Sequence, residues 1–182
     1  TAIYPDGSES VPTNIVSATP VEWIECSIGD GASLVGLTDT IDISVNNESL
    51  LGGLFFEIED FPDVLVGESV LTTDRTDGWS LSILDDNGKI SIAGFGPLAG
   101  ADPLQPGDGP VCRVVVRPQG DQALTVSLTM TDVQIQDTSN PPVQLNWTAE
   151  LGSYEVGIET QYVMLVDGHG EPGSQMTSPL CL

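Results

Sequence analysis

The chain has 182 residues, with 27 Asp plus Glu against 4 Lys plus Arg, a formal net charge of −23. One domain of this length buries roughly 70% of its unfolded surface, and a hydrophobic content of 40% excludes a disordered acidic tail. The charge excludes nucleic acid and anionic membrane surfaces as partners, and no apolar run approaches the ~20 residues that a bilayer-spanning helix needs.

In chain order, residues 1–20 are small, polar and Pro-containing, with apolar positions at Ile3, Tyr4, Val11, Ile15 and Val16. They read as an N-terminal arm. The stretch Thr40–Val45 (TIDISV) alternates apolar and polar residues, the period of a half-buried strand. Trp79–Leu84 (WSLSIL) alternates, Asp85-Asp86-Asn87-Gly88 turns, and Lys89–Phe95 (KISIAGF) alternates again. Asn-Gly takes the positive φ values of a tight turn, so this is a β-hairpin. Gly96–Pro110 contains Pro97, Pro103, Pro106 and Pro110, which lack ladder donors, so it reads as a crossover loop between two sheets. Val111–Val116 is a short apolar strand, Ala123–Gln136 one long or bent strand, and Leu151–Val166 one or two more. No stretch carries a helical period. Strands recurring roughly every 8–12 residues, with Gly and Pro between them, predict an all-β antiparallel sandwich of jelly-roll or Greek-key topology. The predicted sandwich spans 21–157. Residues 158–182 add an extra strand, with Tyr162, Val163, Leu165 and Val166, and a tail.

Catalytic chemistry is thin. The single histidine, His169, lies in the Gly-rich tail, so no Ser-His-Asp or Cys-His constellation can be assembled around a second one. Glu57 and Glu59 are two apart and share one face of a strand. A glycosidase pair must instead oppose each other across a cleft about 5 to 9 Å wide. No zinc spacing occurs. Asp85, Asp86 and Asn87, and separately Asp132, Asp137 and Asn140, are candidate calcium ligands, although neither run matches an EF-hand and both suit turn chemistry. No other cofactor is expected. Trp23, Trp79 and Trp147 fall on predicted strands and read as core or sheet-packing residues.

Cys26, Cys112 and Cys181 allow one disulfide and leave one thiol; a bridge from Cys181 to either of the others competes with buried free thiols. Asn47-Glu48-Ser49 and Asn146-Trp147-Thr148 are glycosylation sequons. With the opening at Thr1 they predict a mature form, after signal-peptide removal, at the cell surface or outside the cell.

From about Val21 to Val156 the order of motifs resembles a cohesin domain, the β-sandwich module of extracellular scaffolds that binds dockerins. TDTIDISVNN is similar to the family's early strand. LGGLFFEIEDFPDVL is similar to its Gly-aromatic strand running into a Pro-containing turn, and WSLSILDDNGKISIAGF to the hairpin that follows. LQPGDGPVCRVVV resembles its Pro-Gly-x-Gly before an apolar strand. ALTVSLTMTDVQIQDTSNPPVQL and GSYEV resemble its closing strands. The chain departs from the family at the turn Asp60-Phe61-Pro62-Asp63 and in the residues after Val156. The resemblance implies a binding sheet made of the strands at 53–59, 79–84, 89–95 and 124–135.

Three functions follow as expectations. The arm and the extra strand suit a subunit of an extracellular filament, a homopolymer in which a terminal strand adds to a neighbouring copy's sheet. The resemblance implies a module that binds a dockerin-like protein. A carbohydrate-binding module would need an exposed aromatic strip.

Overall fold

The computed structural model describes residues 23–86, 88–96, 102–139 and 141–159. The predicted arm, extra strand and tail lie outside the described residues, as do Asn87, Asn140, His169 and Cys181. Eleven strands are described: β1 (Trp23–Ile28), β2 (Gly31–Leu34), β3 (Asp39–Asn46), β4 (Leu51–Phe61), β5 (Leu65–Thr72), β6 (Ser80–Asp86), β7 (Lys89–Phe95), β8 (Pro110–Pro118), β9 (Leu124–Asp137), β10 (Asn146–Glu150) and β11 (Gly152–Gly157). A short 3-10 turn, Asp74–Thr76, precedes β6. No helix among the described residues is long and apolar enough to cross a membrane.

The strands form two sheets, β10-β1-β3-β8-β5 and β2-β11-β9-β4-β7-β6. Their inner faces supply the core, so the strands obey the period of two. Ile41, Ile43 and Val45 of β3 are buried, as are Leu54, Phe56 and Ile58 of β4. The predicted hairpin is present in register: Asp86 pairs with Lys89, and Gly88 takes φ +73° between them. The long strand β9 pairs with β4 along its length and bends at a bulge opposite Glu57/Ile58.

The sandwich is not wholly antiparallel as expected. β1 runs parallel to β10, and β2 parallel to β11. Both pairs have one physical origin. The segments 23–34 and 146–157 each pass from the first sheet to the second, side by side. Gly152 makes this approach feasible, because a Cβ there would stand 2.9 Å from the Ile28 backbone oxygen. Asp30 secures the corner by accepting from Ser153 N and Oγ, and those bonds hold its carboxyl below the usual range. Tyr154 is fully buried against Gly31, where an added Cβ would meet its ring at 2.6 Å.

The Pro-rich connection after β7 is a crossover, as predicted. Leu104 exchanges both backbone hydrogen bonds with Leu51 and buries its side chain. Gly107 does the same with Asn47. The 3-10 turn clamps the far end: Thr73 Oγ1 donates to the Pro110 carbonyl, Thr76 Oγ1 to that of Val111, and Arg75 to four further carbonyls. A loop that satisfies its backbone polar groups in this way needs no strand pairing to stay ordered.

Candidate protein-binding face

The four strands assigned to a binding sheet from the sequence lie side by side, in the order β9-β4-β7-β6. β4 and β7 are paired on both edges, so the centre of this face has no free ladder groups to offer. What it offers is side chains, and the register fixes their rows. Ser80, Phe95, Gly53 and Gln136 form the first row, and Ser82, Ala93, Phe55 and Gln134 the second. Leu84, Ser91, Glu57 and Asp132 form the third, and Asp86, Lys89, Glu59 and Thr129 the fourth. Phe61 and Ser127 follow beyond them.

Three apolar side chains on this face remain in water: Leu84, 64% exposed, Phe95, 41% exposed, and, beyond the fourth row, Phe61, 79% exposed. Phe95 lies over Gly53, where a Cβ would stand 3.5 Å from its ring. Phe55 is half-buried in the adjoining row. This apolar centre is bordered by carboxylates. Lys89 Nζ lies 2.6 Å from Glu57 Oε1, and Thr131 Oγ1 donates to the same oxygen at 2.7 Å. The Lys89 bond, then that from Thr131, holds the Glu57 carboxyl below the usual range, and Glu57 in turn raises Lys89. The Lys89 ammonium also feels Glu59 and Asp132, so one cation stands among several carboxylates. Glu57 and Glu59 share the outer face as expected, side by side on one strand rather than opposed across a cleft.

The outward side chains Phe55, Leu84, Phe95 and Lys89 of this face are not singled out by sequence reasoning. A signal existed. Phe55-Phe56 and Ile83-Leu84 are adjacent apolar pairs within alternating strands, and one member of each has to face outward.

Other predicted site residues fall elsewhere. Asp85 and Asp86 project to opposite faces of β6, and Asp85 accepts from Gly67 N at 2.7 Å. Asp137 caps its own turn, accepting from Ser139 N, Ser139 Oγ and Val143 N, which keeps its carboxyl low. No group of three or more His, Cys, Asp or Glu that could hold a metal ion occurs among the described residues, and Asn87 and Asn140 of the two calcium candidates lie outside them. Asn47 is 3% exposed and its Nδ2 donates to the carbonyls of Ser49 and Gln105, so this sequon is structural in the folded chain; Asn146 is exposed.

Cys26 and Cys112 are buried free thiols. Both pair with β3, on its two opposite edges. Two strand spacings of ~4.8 Å separate β1 from β8, beyond disulfide reach. Trp79 is buried and donates from Nε1 to the Asp102 carbonyl, and Trp147 packs against the core. Trp23 differs from expectation, since it is 60% exposed at the start of β1. One exposed tryptophan on the opposite sheet does not make an aromatic strip.

No family model matches the sequence, and no curated protein matches it. Among solved structures the fold is similar to a non-cellulosomal cohesin from the archaeon Archaeoglobus fulgidus, at TM-score 0.60 and 15% identity, covering 75% of this chain and 92% of that one. It is similar to the seventh ScaB type I cohesin of Pseudobacteroides cellulosolvens, at TM-score 0.61 and 16% identity, over 80% and 99%. A Clostridium thermocellum structure described as the Coh-OlpC-Doc435 type I cohesin–dockerin complex aligns at TM-score 0.61 and 11% identity, over 79% and 99%. The chain is thus a cohesin-like β-sandwich.

Proposed function

We propose that this chain is an extracellular, non-catalytic protein-binding module that docks a dockerin or dockerin-like partner on the outer face of β9-β4-β7-β6. The observation that carries the reading is the pair Leu84 and Phe95, left in water on the outer face of β9-β4-β7-β6 and bordered by carboxylates. Exposed apolar side chains grouped on one face mark interaction surfaces, whereas scattered ones do not. The similar solved structures are cohesins, one of them described as a cohesin–dockerin complex, which supports the same choice of partner. The filament expectation rested on residues 1–20 and 161–166, outside the described residues, and no described feature favours it over docking.

The test is binding of the chain to an array of dockerin modules, followed by titration of any pair found. Leu84→Asp should weaken that pair about thirtyfold or more, as loss of a central hot spot does, while the melting temperature stays within a few degrees. Unchanged affinity in Leu84→Asp would move the site off this face. Absence of any binder would remove the reading.

A further inference from the structure

Phe61 is 79% exposed, more than any other large hydrophobic side chain among the described residues. It ends β4 and shares the outer face with Phe55, Glu57 and Glu59. Its neighbour across β9 is Ser127, which pairs in turn with Ser153 of β11, so only short side chains flank it on that side. On the other side β7 has already turned, its last pairing with β4 being Glu59 to Lys89. The turn that carries Phe61 is fixed from below. Asp60 points inward and accepts from Val64 N and Leu65 N, both at 2.8 Å. A Cβ on Gly88 would stand 2.9 Å from the Asp63 carboxylate, so the β6–β7 tip abuts this turn. An aromatic ring held in water on a braced turn is preorganised for binding, because little freedom remains to be lost there.

We propose that Phe61 is a second anchor of the docking face, and that one elongated, basic partner surface is seated on Phe95 at one end and on Phe61 at the other, passing Leu84 of β6 midway. This deepens the docking reading and rests on it. Gly53, beneath Phe95, lies eight residues from Phe61 along β4, about 26 Å at a strand's rise. The partner must cross β4 and β7, which have no free ladder groups, so side chains make the contact there. It is basic because Glu59, Asp86 and Asp132 lie between the anchors with Lys89 as the one cation, itself engaged by Glu57. Lys or Arg in the middle of the partner surface would complement that band.

The experiment uses the full chain and a dockerin module that the array identifies as a binder. Titrations compare wild type, Leu84→Asp, Phe61→Ala and Glu59→Lys, and hydrogen exchange maps protection in the complex. Expected are a tenfold or greater loss of affinity in Phe61→Ala, weaker and less salt-sensitive binding in Glu59→Lys, and protection that reaches residues 59–63. Loss of binding in Leu84→Asp with full affinity in Phe61→Ala, or protection that stops short of Phe61, overturns the second anchor and leaves the docking reading standing. An array with no binder overturns both.

Discussion

Arg75 Nη2 donates to the side-chain oxygen of Asn47 at 2.6 Å, joining the turn before β6 to the end of β3. Around that bond the guanidinium reaches the carbonyls of Val45, Gln105, Gly107 and Gly109, all of neutral groups. Burial of the charge pulls the Arg75 pKa down, and the Asp108 carboxylate partly restores it. The Asn47 amide adds bonds of its own to Ser49 and Gln105. One cation therefore orders a crossover that has few side chains with which to order itself.

Arg75→Ala should cost about 2–3 kcal/mol, because it removes hydrogen bonds from a charged donor and leaves carbonyls without partners. Arg75→Lys should recover only part of that, since an ammonium cannot reproduce the planar fork. Urea unfolding of the three proteins gives the comparison. Equal stability of Arg75→Ala and wild type would show that Leu104, Gly107, Thr73 and Thr76 hold the loop without the guanidinium.

Gly96 lies against Trp79 so closely that an added Cβ would overlap ring atom Cε2. Gly96→Ala should therefore lower stability by about 1–3 kcal/mol, as overpacking of a filled site does. Tilting the indole would also lengthen its 3.0 Å bond to the Asp102 carbonyl. The readouts are the melting temperature and the Trp79 emission, taken in a Trp23→Phe, Trp147→Phe background. An unshifted melting temperature and spectrum would contradict this packing.

The parts of this molecule that repeat locally were readable before the fold was known. Ile41, Ile43 and Val45 alternate with Asp42 and Ser44, and the Asp-Asn-Gly run marks the β6–β7 turn. The four strands of the candidate face follow from the resemblance to cohesins, which rests on the order of such segments. β2 was not readable, since Gly-Ala-Ser-Leu is too short and too exposed to carry a period. β5 hides because Gly67 and Glu68 interrupt it at a bulge. The Arg75 clamp leaves no trace either. Most of its acceptors are backbone carbonyls 30 or more residues away, and a carbonyl is the same in every residue. Trp23 misleads because residue type suggests burial, whereas its place in the alternation of β1, opposite Ile24 and Cys26, turns it outward.

Cys26 and Cys112 are both pushed up to about 12, chiefly by burial. At pH 8 a thiol with that pKa is about one part in ten thousand thiolate, and thiolate is the reacting species. Iodoacetamide should leave both unmodified in the native chain and label both in 6 M guanidinium, as read by peptide mapping. Rapid native labelling at either position would place that thiol at the surface.

Asp60 gives the molecule a titration of unusual sign. Its carboxyl is raised above the usual range, first by burial and secondarily by Asp63, against the lowering bonds from Leu65 and Val64. One carboxylate oxygen, Oδ1, is buried with no hydrogen-bond partner. A group whose folded pKa exceeds its unfolded value adds stability below the unfolded pKa and loses it as pH rises through the folded one. Asp60 should therefore cost stability above its folded pKa, the opposite of Glu57, whose lowered pKa withdraws stability as pH falls. Asp60→Asn keeps an oxygen to accept from Val64 and Leu65 and cannot ionise. Its stability relative to wild type should rise with pH from 4 upward and then level off. Urea midpoints of both proteins at half-unit steps from pH 4 to 8 measure that difference, and subtracting them cancels the other carboxylates. A difference that stays flat, or falls with pH, would mean that the two backbone bonds outweigh burial and that Asp60 is held ionised in the fold.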